Sequence, residues 1–150
     1  MKSSPEDKNP EPVPRTGALK TGGFMGADLR SVDAVIAEDA ATLQGLGYRV
    51  AQVAARIQEL RDLARPALGN WVKVGDALQV KSEDYKGWIG CPWPHAGRFE
   101  KRITTAERLD TGQRISWSDL NIHLIEEHSF FEGKGSFFRI EPQEIIRVIF

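Results

Sequence analysis

The hydrophobic period of this chain changes near Asn70, and that change limits the fold more than any other feature of the sequence. Before it, apolar residues recur at helical spacing. Val32, Val35, Ile36 and Leu43 form one set, placed just after Ser31, a side chain suited to cap a helix N-terminus. Gly45 and Gly47 interrupt it. Val50, Val53, Ala54, Ile57 and Leu60 then predict a second helix from about Arg49 to Ala64, with Pro66 beyond its end. The two are expected to form a helical hairpin over residues 31–66. After Asn70 the side chains alternate. Val72, Val74, Leu78 and Val80 flank Gly75-Asp76 and predict a short β-hairpin. A second hairpin is predicted from Phe99, Ile103, Leu109, Ile115 and Trp117, all on odd positions, turning at Asp110-Thr111-Gly112. A helix from Asp119 to about His128 follows, capped by Ser118 and stapled by Trp117 and Ile122. At the C-terminus, Pro142 at a first helical position favours a helix over the strand propensity of Ile145 to Ile149. The fold class is therefore α+β, with residues 69–150 as the α+β module.

The flanking composition narrows the class further. Residues 1–16 are polar and proline-rich, with too little apolar surface to offset ordering entropy, so they are expected to be a disordered tail. Residues 17–30 read as an irregular segment pinned by Phe24 and Met25. No apolar run resembles a secretory signal or approaches the ~20 residues of a membrane span. A single cysteine excludes an intrachain disulfide framework. A net charge of -1 lacks the basic excess of a dedicated nucleic-acid or membrane-surface binder. A cytoplasmic protein is the expectation.

Chemistry concentrates in one stretch. The single cysteine and all 3 histidines lie between Cys91 and His128. Cys91 and His95 flank Pro92-Trp93-Pro94, a stiff turn that presents both at low entropic cost. His123 and His128 sit on the predicted helix. Thiolate and imidazole are the donors zinc prefers, and the His-x4-His spacing falls in the range zinc-binding fingers use. Turn, β-hairpin and helix over roughly residues 88–128 resemble a ββα zinc finger or a treble-clef-like knuckle. Cys-x3-His replaces the usual pair of cysteines, and the intervening segment is longer. Positions five apart on an ideal helix diverge by about 140°, so the last turn is expected to distort near His128.

The resemblance implies zinc held by Cys91, His95, His123 and His128 in a small module that binds a protein or nucleic-acid partner. Four ligands close a tetrahedron. Were one absent, the site would instead suit a small zinc-dependent hydrolase, with Glu127 (or Glu126) as general base. Both readings stay open on the sequence, and so does the question of whether the chain is an enzyme. Three further patterns deserve a reading. Arg98, Arg102, Arg108 and Arg114 occupy even positions of the second hairpin, a solvated face that could hold an anion or nucleic acid. Leu46-Gly47-Tyr48 before Val50-Ala51-Gln52-Val53-Ala54 resembles the opening of a DNA-binding helix-turn-helix. There, however, the helical pattern runs on through Gln58-Glu59-Leu60-Arg61. Gly133-Lys134-Gly135-Ser136 lacks the first glycine and preceding strand of a phosphate loop, and Phe130, Phe131, Phe137 and Phe138 around it read as core anchors.

Overall fold

The computed structural model describes residues 23–94 and 97–150. The tail expected over residues 1–16 lies outside the described residues, as does the start of the irregular segment. Helix α1 (Val32–Gly45) begins where Ser31 Oγ accepts the Ala34 N–H at 3.1 Å. It ends where Gly47, at φ 87°, turns the Tyr48 N–H back to the Leu43 carbonyl at 2.9 Å. Helix α2 (Val50–Ala64) opens with Gln52 accepting the Arg49 N–H at 2.8 Å, and a 3-10 turn (Arg65–Ala67) follows it. Strands β1 (Val72–Val74), β2 (Leu78–Gly90), β3 (Arg98–Arg108) and β4 (Arg114–Ser118) form one antiparallel sheet in the order β1-β2-β3-β4. Helix α3 (Asp119–His128) grows directly from β4. Its capping box is reciprocal: Asn121 N–H donates to Ser118 Oγ at 3.0 Å, and Ser118 N–H to Asn121 Oδ1 at 2.9 Å. Helix α4 (Pro142–Ile149) ends the chain and buries Ile145, Val148 and Ile149.

Both hairpins form at the expected turns, but the sheet is larger than alternation implied. Beyond Ser82, β2 continues through Glu83-Asp84-Tyr85-Lys86 and, except at Lys86 and Gly87, pairs with β3 as far as Gly90. A bulge between Tyr85 and Trp88 bends this arm. The β3–β4 register pairs Thr104 with Trp117 and Ala106 with Ile115. Odd residues of β4 thus share a face with even residues of β3. The apolar pattern grouped Phe99 and Ile103 with Ile115 and Trp117, and this is corrected: the loop closes through Arg108 N–H to the Gln113 carbonyl, and a one-residue slip moves every side chain to the other face.

Two clusters make the core. In the larger one Leu43, Ile57, Leu60, Val80, Ala106, Trp117, Ile125, Phe131 and Ile145 pack between α2, α4 and one face of the sheet. The smaller joins Met25, Val35, Trp93, Leu120, Leu124 and Phe130, with Cys91, Ile89 and Phe99 at its border. Helix α3 stands between them, sending Ile122 and Ile125 to the first and Leu120 and Leu124 to the second. The helices read as a hairpin find their main partners elsewhere, α1 against α4 and α2 against α3 and β2.

Residues 23–28 dock on the loop at 132–136. Gly133 N–H donates to the Phe24 carbonyl at 2.7 Å and Ala27 N–H to the Lys134 carbonyl at 2.9 Å. The backbones approach so closely that a Cβ on Gly133 would overlap Met25. Lys134 N–H donates to Asp28, so this loop's amides serve the fold rather than a phosphate. Beneath it Glu132, at φ 68°, is 4% exposed; its carboxylate accepts from Asn121 Nδ2 at 3.0 Å and Ser136 Oγ at 2.5 Å, and burial pushes its pKa up to about 6. Arg139 joins Asp39 of α1 to the Glu132 carbonyl. Of the four phenylalanines expected as anchors, Phe130 and Phe131 are fully buried. Phe137 is not: it is 91% exposed, in a T-shaped contact with Phe138.

Candidate metal centre

Cys91 leaves the end of β2 just where the strand meets the smaller core cluster, and its thiol faces the C-terminal half of α3. Its Sγ lies 3.5 Å from His128 Nε2. One ligand atom each from Cys91, His123 and His128 falls within 4.8 Å of the others, and all three residues are partly buried. Tetrahedral zinc, with bonds of ~2.0–2.3 Å, places its ligand atoms roughly 3.3–3.8 Å apart. The Cys91–His128 spacing already meets this, and a ligand atom of His123 lies within 4.8 Å of both. The expected distortion of α3 is absent. The helix runs regularly to His128, then Ser129 adopts a left-handed conformation at φ 54° and closes the end through hydrogen bonds to Ile125 and Leu124. The imidazole arms, rather than the backbone, make up the angular divergence, bringing the two ring centroids to 5.2 Å.

Neighbouring aromatics hold the donors in place. Trp93 lies flat against His128, with centroids 4.0 Å apart and planes 7° from parallel, and is itself wedged against Phe130. Phe99 packs on His123 at 4.6 Å. The backbone N–H of Trp93 donates to the Cys91 sulfur, a contact that favours thiolate, but burial dominates and pushes the Cys91 pKa up to about 11. Without a metal the thiol is therefore protonated and hydrogen-bonds to the imidazole. Trp93 as a buried platform was not singled out from the sequence; its place between two prolines, two residues after the single cysteine, was the available signal.

His95 lies outside the described residues. Glu126 and Glu127 are exposed, and neither joins the Cys91–His123–His128 group. The four arginines are dispersed. Arg102 is 6% exposed and on the helix-facing side of the sheet, where it binds Asp84, Asp119 and Glu100 at 2.7, 2.6 and 3.0 Å. Arg61 of α2 reaches the same Asp119 at 3.4 Å. Arg108 pairs with Asp110, Arg114 with Glu107, and the Arg98 guanidinium lies 4.7 Å over Trp88. No helix among the described residues is long and apolar enough to cross a membrane. Set against protein-family models, curated proteins and solved structures, the chain matches none of them.

Proposed function

We propose that this chain is a small zinc-binding module in which the metal has a structural role, clamping the far end of β2 to α3 and shaping a surface for a protein or nucleic-acid partner. The convergence of the Cys91, His123 and His128 donor atoms within 4.8 Å carries the reading. The three come from two elements joined only by non-local packing, so a shared ion would staple the β2–β3 arm to the smaller core cluster. The donor set, one thiolate with two imidazoles, suits zinc. His95 is the proposed fourth ligand, completing a closed tetrahedron.

Metal analysis of the full chain purified without chelator, with X-ray absorption to count neighbours, tests this. One zinc per chain with one sulfur and three nitrogen ligands is the expected result, and Cys91→Ser or His123→Ala should lose the metal. A shell in which water replaces His95 would favour the hydrolase. Protein free of stoichiometric metal, able to take up neither zinc nor cobalt, would overturn the proposal.

A further inference from the structure

Away from Phe99, which borders the smaller core cluster, the sheet has a second face whose residues join neither cluster. Val80, Ala106, Trp117 and their neighbours point toward α2 and α4. By strand alternation the opposite face carries Lys73 on β1, Lys81 and Tyr85 on β2, Lys101 on β3 and, through its pairing with Glu107, Arg114 on β4. Trp71 lies across it. Lys81 Nζ is 4.9 Å from the indole centroid and the Arg114 guanidinium 5.4 Å, and these two belong to strands separated by β3. A half-buried tryptophan that meets two cations and joins neither core cluster is not accounted for by core packing. Tyr85, 55% exposed, marks the other end of the face. From Lys81 to Tyr85 is four residues along β2, about 13 Å at strand rise.

Charge on this face differs from that of the whole chain. Lys73, Lys81, Lys101 and Arg114 outnumber Glu83 and Glu107, four charges minus two leaving a net +2, whereas the chain as a whole carries -1. Glu107 is already engaged by Arg114 and Gln79. A face with two separated rings and interspersed cations complements a chain of phosphates whose bases are free to stack. A duplex fits it poorly, because its base faces are hidden.

We propose that this face binds single-stranded nucleic acid, with bases stacking on Trp71 and Tyr85 and the phosphates held by the surrounding lysines and Arg114. Of the four even-numbered arginines that the sequence suggested as a basic surface, Arg114 alone lies on this face. The proposal is independent of the zinc reading.

Fluorescence anisotropy tests it, using the full chain, a labelled mixed-sequence 12-nucleotide RNA, its DNA counterpart and the corresponding duplex at low ionic strength. Single strands should bind, with the duplex at least tenfold weaker. Trp71→Ala should weaken binding by roughly tenfold or more, since one stacked base is worth ~1–3 kcal/mol, while Trp71→Phe retains most of it. Lys81→Glu combined with Lys101→Glu, which leaves Trp71 in place, should reduce the salt dependence by about one to two counterions. Any preference between RNA and DNA then identifies the natural strand. Absence of binding at low ionic strength would overturn the proposal. So would an equal loss from Arg147→Glu on α4, or equal competition by heparin, which would reveal a general polyanion or acidic-protein surface instead.

Discussion

Replacing Glu132 with glutamine should stabilise the protein above neutral pH and do much less below pH ~4.5. The carboxyl is 4% exposed and accepts side-chain hydrogen bonds from Asn121 and Ser136. Its pKa is about 6 in the folded chain against 4.5 for an unburied glutamate, so folding takes up a proton between these values. The protonated form's contribution is intact below the lower pKa and is lost as pH rises through the upper one. A difference of about 1.5 units corresponds to about 2 kcal/mol at 1.36 kcal/mol per unit. Glutamine keeps the shape, accepts from Asn121 through its carbonyl and donates to the Ser136 hydroxyl, but does not titrate. The stability of Glu132→Gln minus that of the parent should therefore widen by about 2 kcal/mol between about pH 4 and pH 7.5, or roughly 4–8 °C in Tm. Taking this difference matters because Asp28, Glu107, Asp110 and Glu141 are shifted the opposite way by arginine partners. Urea unfolding followed by tryptophan fluorescence provides the assay. A gap that stays level with pH, or narrows, would refute the burial assigned to this carboxyl.

Because burial holds the Cys91 thiol near pKa 11, a metal that enters at pH ~8 should displace about one proton, seen as a calorimetric binding heat that varies with buffer ionisation enthalpy; no such dependence would remove Cys91 from the shell. Arg102→Ala should cost about 3 kcal/mol, because it leaves the buried carboxylate of Asp119 with only the more distant Arg61, and chemical denaturation would register a smaller loss if Arg61 compensates. Leu68, 88% exposed at φ 52°, should become more stable by roughly 0.5–1 kcal/mol when changed to Asn, which tolerates the left-handed region; a lower Tm would show that the leucine packs on something. Gly133→Ala should destabilise by ~1–3 kcal/mol, since its Cβ meets the Met25 backbone, and an unchanged Tm would mean the segment at 23–28 is not docked in solution.

Much of the site was legible because its parts are local. The Ser118 cap and the Trp117–Ile122 staple set the start of α3, and with it the positions of His123 and His128 along the helix. Pro92 and Pro94 marked the turn after Cys91. That the thiol and these imidazoles meet was an expectation, because Cys91 and His128 are 37 residues apart and only the pairing of β2 with β3 brings the turn to the helix. The basic face shows the opposite case. Arg102 looked solvated while its strand was considered alone, and the register of one loop turned it toward Asp119.

The sequence by itself determined helix limits through Ser31, Gly47, Ser118 and Pro142 and turns through Gly75-Asp76 and Asp110-Thr111-Gly112, and alternation marked the strands beside those turns but not the reach of β2 to Gly90. These depend on backbone propensity, capping and side-chain period, which act over a few residues. Only the tertiary structure decided which face of each strand is covered, that α1 leans on α4 rather than α2, that Glu132 is buried against its preference for water, and that Phe137 is exposed while Phe131 is not. Those outcomes depend on register and on competition for a limited core, where a one-residue shift or a neighbouring helix outweighs the preference of any single side chain.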